Sequence, residues 1–300
     1  MPSKKNKIIA IVGPTATGKS DLAVFLAKKF DGEIVSADSR QIYTGLDIGS
    51  GKVTKKEIAG IPHHMLDIAH PKRTYSVAQY QKRAQKEIGN IIKRNLLPIL
   101  CGGTGFYIQS VLDNISLPSV SPNLQLRKKL AKEPLAKLYA TLEMLDPERA
   151  ATIDQKNPLR LIRALEIVQA QGKVGPRTYE PRIYDTCTIG LRLPQDVLAE
   201  RIHIRLHKRL KKGMVREVEK LHQNGLSWKR LESLGLEYRF VAEYLQNKMS
   251  RDEMTEKLEI AINQYAKRQM TWFKKDSSIL WFTPEHDDEI AQTIKKFLER

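Results

Sequence analysis

The chain has 300 residues, 41% of them hydrophobic, with 51 Lys and Arg against 34 Asp and Glu and a formal net charge of +17. That length and apolar content suit one large domain or two smaller ones, and no stretch approaches the roughly 18 apolar residues of a membrane span. The basic excess points to a polyanionic partner, nucleic acid first among them.

The chain opens on a few basic residues, as a signal peptide does, but the apolar run behind them, Ile8-Ile9-Ala10-Ile11-Val12, is only five residues long. It leads straight into glycine-rich sequence, so residues 8–12 are predicted to be a buried first strand and not a leader. The glycine-rich sequence is G-x-x-x-x-G-K-S, made of Gly13, Pro14, Thr15, Ala16, Thr17, Gly18, Lys19 and Ser20. Between a strand and a helix, this pattern cradles phosphates. Backbone N–H groups converge on one concavity, the helix N-terminus adds partial positive charge, the lysine neutralises phosphate oxygens, and the serine hydroxyl can coordinate Mg²⁺. It implies a diphosphate-containing ligand, ATP or another, without specifying a reaction.

Further along, a helix is expected over residues 19–30 and a strand over 33–36. The second strand runs into "SADSRQIYTGLDIGSGK", which puts Asp38 just past a strand end, where open α/β sheets keep their active sites. That carboxylate could bind magnesium, act as a general base, or simply cap the following turn. A third strand is expected over residues 64–68, with His63 and His64 as structural residues. The next helix, 76–93, carries Val77, Tyr80, Ala84, Ile88 and Ile91 at three- and four-residue steps. A fourth strand, 98–101, ends in a second glycine turn, "CGGTGFYI", with Thr104 at or near a helix start.

From Ser116 the texture changes to a proline-rich turn followed by helices at 124–132, 135–146, 147–153 and 158–171, and then by a loop to about residue 185. Residues 187–193 read as a strand again. The rest is mostly helical, with a short strand at 279–282 before a C-terminal helix. The expected fold is therefore α/β: a P-loop NTPase-like parallel sheet formed by residues 1–115 and 185–300, interrupted by a mostly helical insertion at 116–184. Between Arg201 and Arg230 stand ten Lys and Arg against Glu217 and Glu219, a local +8, which evenly spread solubilising charge would not produce. Cys101 and Cys187 have neither metal-site nor disulfide-framework spacing, so a reducing cytoplasm is expected. The seven histidines show no ligand pattern. His203 and His207 are one helical turn apart but lack the neighbouring Glu of a zinc motif, and no zinc site is expected there.

Taken together and in order, "GPTATGKS", "SADSRQIYTGLDIGSGK", "PHHMLDI", "YSVAQYQKRA", "CGGTGFYI", "NPLRLIRALEI" and "YAKRQMTWFK" resemble the tRNA dimethylallyltransferases, the isopentenyl-diphosphate:tRNA transferases, over essentially the whole chain. The resemblance implies transfer of a dimethylallyl group from dimethylallyl diphosphate to N6 of the adenosine 3′-adjacent to the anticodon. Residues 13–20 and Arg205 would hold the diphosphate, Lys19 would stabilise its charge, and Mg²⁺ would sit on Ser20. Asp38 would take the proton from the acceptor amine. Asp38, Ser39, Arg40 and Gln41 would contact tRNA, as would Thr104, Arg127, Leu159, Arg160, Leu161, Ile162 and Arg163. The target base has to leave its stack to be alkylated, so the helical insertion would grip the anticodon stem-loop. Trp272 and Phe273 are assigned to architecture, with phosphate contact as the lesser role. In one place the chain departs from the family pattern: Ile262-Asn263 stands where many members have Thr-Arg or Ser-Arg.

Three rival readings start from the same loop. A small-molecule P-loop kinase leaves the basic insertion without purpose. An adenylate isopentenyltransferase acting on free AMP needs no such insertion either. A nucleic-acid-binding ATPase wants an acidic strand end where this chain has "CGGT". No membrane or protein partner is implied, and a monomer is expected.

Overall fold

The computed structural model describes residues 5–175 and 178–300. Among them six strands form one all-parallel sheet in the order β3-β2-β4-β1-β5-β6. In chain order the elements are β1 (Asn6–Val12), α1 (Lys19–Lys29), β2 (Gly32–Ser36), α2 (Lys55–Ile58), β3 (His63–His64), α3 (Val77–Lys93), β4 (Leu97–Cys101) and α4 (Gly105–Leu112). Next come α5 (Leu124–Leu130), α6 (Leu135–Leu145), α7 (Pro147–Thr152) and α8 (Pro158–Gln171), and then β5 (Tyr184–Leu191). The chain closes with α9 (Gln195–Lys211), α10 (Met214–Gln223), α11 (Trp228–Leu234), α12 (Leu236–Leu245), α13 (Arg251–Phe273), β6 (Leu280–Phe282) and α14 (Asp287–Glu299).

The central strands are apolar on both sides because both faces are covered, as parallel sheets require. On one face Ile9, Ile11, Ile99 and Ile189 pack on Leu22 and Leu26 of α1 and on Ile290 and Ile294 of α14. On the other, Ile8, Val12, Val35 and Leu100 meet Tyr80, Ala84, Ile88 and Ile91 of α3 and Ile108 and Val111 of α4. These are the α3 positions whose spacing predicts the helix. Its start is fixed by a capping box between Ser76 and Gln79.

One expected strand is cut short. Residues 64–68 are not a continuous strand: β3 stops at His64, because Met65 (φ 67) and Asp67 (φ 52) turn left-handed and break the ladder. The strand expected at 187–193 begins earlier, at Tyr184, and stops before Pro194. Part of the loop expected before it, Pro176 and Arg177, lies outside the described residues.

The chain divides into two compact units. The larger, Met1–Asn114 with Pro181–Arg300, holds the sheet. It also holds a helical subcore in which Ile202 and Leu206 of α9, Met214 and Val218 of α10, and Leu258 and Ile262 of α13 pack together. The smaller unit, Ile115–Glu180, has its own core of Leu138, Leu142, Ala150, Leu161, Leu165 and Val168 from α6, α7 and α8. An isolated antiparallel bridge between Ile115 and Tyr179 draws its two ends together.

Candidate active site

β1 sits in the middle of the sheet, with β4 on one side and β5 on the other. Ligands of open parallel sheets bind beyond the carboxyl ends of the strands at such a reversal point. The loop that leaves β1 here is the glycine-rich one. It needs backbone conformations that side chains resist: Gly13 (φ 139), Ala16 (φ 65) and Gly18 (φ 88). Gly13 is doubly constrained, since a Cβ there would lie 2.4 Å from the Leu191 carbonyl oxygen of β5. Gly18 takes the N-cap position of α1 and makes no side-chain cap, so the first helical N–H groups face the loop's concavity and suit an anion. Thr17 is fully buried and donates from its hydroxyl to the Pro14 carbonyl at 2.9 Å.

The second glycine turn lies beside the first. Gly102 allows β4 to run against β2, because a Cβ there would sit 2.3 Å from the Ala37 carbonyl oxygen. Gln269 of α13 ties the turns together: its Oε1 accepts the Thr15 N–H at 2.9 Å and its Nε2 donates to the Gly103 carbonyl at 2.8 Å. Both glycine turns line a cavity of about 350 Å³, together with Lys19, Ser20, Asp38, Gln41, Arg201, Arg205 and Tyr265.

Asp38 does cap its turn, since Oδ1 accepts the N–H of Arg40 at 2.8 Å and of Gln41 at 3.3 Å. Its Oδ2 has no hydrogen-bond partner among the described residues, so the turn-capping and chemical readings are compatible: one oxygen is held and the other is available to the cavity. Thr104 stands next to this turn, at the N-cap of α4, with its hydroxyl accepting the Ser39 N–H at 3.0 Å. Arg40 is turned aside, its Nη1 reaching the Ser39 carbonyl at 3.2 Å and its Nε donating to the Leu234 carbonyl.

Two cations of the cavity, Lys19 and Arg205, are buried away from solvent. Burial lowers the Lys19 pKa to about 8, with Arg205 adding to that and Cys101 and Asp38 opposing it. Its ammonium donates to the Pro14 carbonyl, which leaves two further donors. Arg205 donates from Nη1 to the Thr15 hydroxyl at 3.2 Å. Burial, and then Arg209, push its pKa down to about 10, so it remains a cation at neutral pH. Arg209 pairs with Glu237 at 3.0 Å and bonds the Gly49 carbonyl. Burial pushes the Cys101 thiol up to about 12, which makes it an inert lining group and not a nucleophile. As a magnesium site the donors fit: the Ser20 hydroxyl and the Asp21 and Asp38 carboxylates line one cavity, the hard oxygen set that Mg²⁺ shares with substrate phosphates.

Two supporting residues escape sequence reasoning. Glu217 of α10 accepts three successive N–H groups, from Asp47 (3.1 Å), Ile48 (2.6 Å) and Gly49 (3.0 Å), and also the Tyr238 hydroxyl at 3.0 Å. It anchors the far end of the loop that begins at Asp38. In the charge count it is merely one of two acids in a basic stretch. Gln269 lies inside "YAKRQMTWFK", whose expected architectural role holds for Phe273, which is buried, and for Trp272, which meets Phe106 edge-on at 6.4 Å.

The smaller unit sorts its expected tRNA contacts. Leu159 is 77% exposed, and the Arg160 side chain is exposed with only a 3.7 Å contact to Asp154. Leu161 and Ile162 are core residues, turned inward by the helical period, so within residues 159–163 the exposed side chains are those of Leu159 and Arg160. Arg127 and Arg163 are not simply solvated cations, because both pair with the buried Glu166, Arg127 at 2.7 Å. Burial pushes the Glu166 carboxyl up, but hydrogen bonds from Arg127, Arg163 and the Asn123 N–H outweigh it and hold the pKa at about 2.

The sequence profile of the IPP transferase family matches residues 41–276. The chain belongs to the IPP transferase family. Among its IPP transferase relatives, tRNA dimethylallyltransferase 1 of Syntrophus aciditrophicus is 44% identical over 96% of this chain and 97% of its own. The tRNA dimethylallyltransferase of Bacillus anthracis is 37% identical over 99% and 96%. The crystal structure of the tRNA isopentenylpyrophosphate transferase of Bacillus halodurans superposes with a TM-score of 0.75 at 35% identity, covering 99% of this chain and 97% of that one. A eukaryotic dimethylallyltransferase captured acting on tRNA superposes with a TM-score of 0.78 at 27% identity, covering 93% of this chain and 74% of its own. The fold is accordingly that of the IPP transferases, a parallel P-loop-like sheet. The departure at Ile262-Asn263 is absorbed into α13: Ile262 is buried, and Asn263 Nδ2 donates to the Glu259 carbonyl at 3.0 Å.

Proposed function

We propose that this chain transfers a dimethylallyl group from dimethylallyl diphosphate to N6 of the adenosine 3′-adjacent to the anticodon of tRNA, forming N6-isopentenyladenosine and diphosphate. The observation that carries the reading is one cavity in which the phosphate loop, Lys19 and Arg205 face the free oxygen of Asp38, in a member of the IPP transferase family.

The residues divide the chemistry between them. Adenine N6 is a weak nucleophile, so the reaction depends on making the allylic C–O bond easy to break. Residues 13–20 bind the diphosphate through backbone N–H groups, and Lys19 and Arg205 stabilise the negative charge that builds on it as it leaves. The Ser20 hydroxyl would hold Mg²⁺, which would supply further neutralisation of that charge. The N6 lone pair forms the new bond to the allylic carbon while the C–O bond breaks, and the N6 proton passes to Asp38 Oδ2. Thr104 positions the turn that carries Asp38 through its bond to the Ser39 N–H. Arg160 and Leu159 of the helical unit, with Arg127 and Arg163, supply contacts to the anticodon stem-loop. The protein acts as a cytoplasmic monomer; Cys101 and Cys187 are both unpaired and buried, and no helix among the described residues is long and apolar enough to cross a membrane.

The test is a transfer assay with labelled dimethylallyl diphosphate and Mg²⁺, offering unmodified tRNA and AMP in separate reactions and following ATP hydrolysis alongside. Label in tRNA alone is expected. Label in AMP alone would reassign the chain to free-nucleotide prenylation, and phosphate released from ATP without any label transfer would make the loop a kinase's.

A further inference from the structure

His203 and His207 lie one helical turn apart on α9, with ring centroids 4.3 Å apart. Ile204 stands where a zinc motif would have its Glu, but the tertiary structure brings a carboxylate from 56 residues away: that of Glu259 on α13, whose Oε2 is 3.0 Å from His203 Nδ1. Each of the three side chains presents one donor atom within 4.8 Å of the other two.

We infer that His203, His207 and Glu259 form a binding site for a borderline divalent transition-metal ion, of which Zn²⁺ is the representative, clamping α9 to α13. Imidazoles at i and i+4 on one helix face form a natural bidentate pair. Adding one carboxylate gives a two-histidine, one-carboxylate set, which suits Zn²⁺ and its first-row neighbours and leaves open positions for water. Mg²⁺ and Ca²⁺ prefer all-oxygen surroundings, so this site is chemically separate from the cavity at Ser20 and Asp38.

The helices that carry the ligands are already held in place. Ile202 and Leu206, on either side of His203, and Leu258 and Ile262, on either side of Glu259, are buried in one apolar cluster. The Glu259 backbone is further pinned by the Asn263 side chain. The ion therefore meets a spacing fixed by the core and has only three side chains to order. His203 is 48% exposed and Glu259 30%, which leaves an open path for the ion.

The clamp would join the two helices that furnish the phosphate cavity. Two residues on from His203, Arg205 points the other way, to Thr15. Ten residues on from Glu259, Gln269 ties the two glycine turns. Bound metal would brace α9 against α13 from the side away from the chemistry, as a stabilising and not a catalytic element.

The experiment uses the full-length chain stripped with chelator and titrated with Zn²⁺ against a chromophoric competitor, and with Co²⁺ followed by visible absorption. The expected result is one equivalent bound, with Co²⁺ bands of a low-coordinate nitrogen–oxygen site, and a melting temperature that rises with Zn²⁺. His207→Ala and Glu259→Gln should each weaken binding about tenfold or more and abolish the thermal shift. All three side chains are at least partly exposed, so the metal-free variants should melt as the metal-free parent does. No binding at sub-millimolar Zn²⁺, or unchanged binding in both variants, would overturn the inference and leave a histidine pair with an ordinary hydrogen bond to Glu259.

Discussion

Gln269 Oε1 accepts the N–H of Thr15 across 254 residues of sequence, at 2.9 Å, while the same amide's nitrogen reaches the Gly103 carbonyl. One nearly buried side chain thereby sets the separation of the two glycine turns that frame the cavity. Gln269→Leu keeps the volume but leaves a donor and an acceptor unpaired. It should cost about 1–3 kcal/mol of stability. By letting the phosphate loop shift, it should also lower kcat/KM for the diphosphate substrate by roughly 10–100-fold. Steady-state kinetics beside a thermal melt would check it; full activity with lowered stability would make Gln269 a packing residue only.

Asp38 is the assigned base, and its turn-capping oxygen makes the choice of variant matter. Asp38→Asn retains an oxygen for the Arg40 and Gln41 N–H groups, so the turn should survive. The transfer rate should fall by about 10²- to 10⁴-fold, with tRNA affinity within about twofold. Single-turnover transfer and filter binding measure the two separately. Transfer at the parent rate would remove Asp38 from the chemistry.

Lys19 predicts a pH limb. Its pKa is lowered to about 8, chiefly by burial, and only the protonated ammonium neutralises the leaving group. For the free enzyme, kcat/KM for the diphosphate should therefore fall as pH rises through about 8, while bound diphosphate, favouring the charged form, should carry the corresponding limb of kcat to higher pH. Lys19→Arg should move the limb beyond reach. A wild-type profile flat to pH 10 would contradict the assignment.

Arg160 and Glu166 separate binding from stability in the helical unit. Arg160→Ala removes an exposed cation and should reduce the salt slope of tRNA binding by roughly one phosphate's worth without altering stability. Glu166→Gln instead breaks a buried ion cluster and should destabilise the fold by about 2–3 kcal/mol, at the low end for buried pairs because Arg127 and Arg163 are a third exposed and can be resolvated. The Glu166 pKa of about 2 lies below the ordinary value of 4.5. Its contribution is thus complete above about pH 4.5 and lost as pH falls towards 2. Equilibrium unfolding across that range, parent against Glu166→Gln, should converge at the acid end.

Local chemistry was legible from the residues alone. The strand–loop–helix around Lys19, the apolar faces of α3 and α8 and the switch to an all-helical stretch near Ser116 each follow from side-chain period, glycine and proline. Asp38 and Thr104 could be placed at strand and helix ends for the same reason. By contrast, residues 64–68 read as strand because their composition is apolar, whereas the left-handed turns at Met65 and Asp67 are imposed by the loop they enter.

By itself, then, the sequence determined where the sheet's strands lie, though not the short length of β3, together with the phosphate loop and the family. These depend on neighbours a few residues apart, whose spacing is written in the chain. Only the tertiary structure decided that Gln269 ties Thr15 to Gly103, that Glu217 anchors residues 47–49, that Glu166 engages Arg127, and that Glu259 meets His203. Each is a polar contact whose partner is found in space. A single glutamine or glutamate carries no periodic signal, and its partner is set by how helices pack on the sheet and on one another.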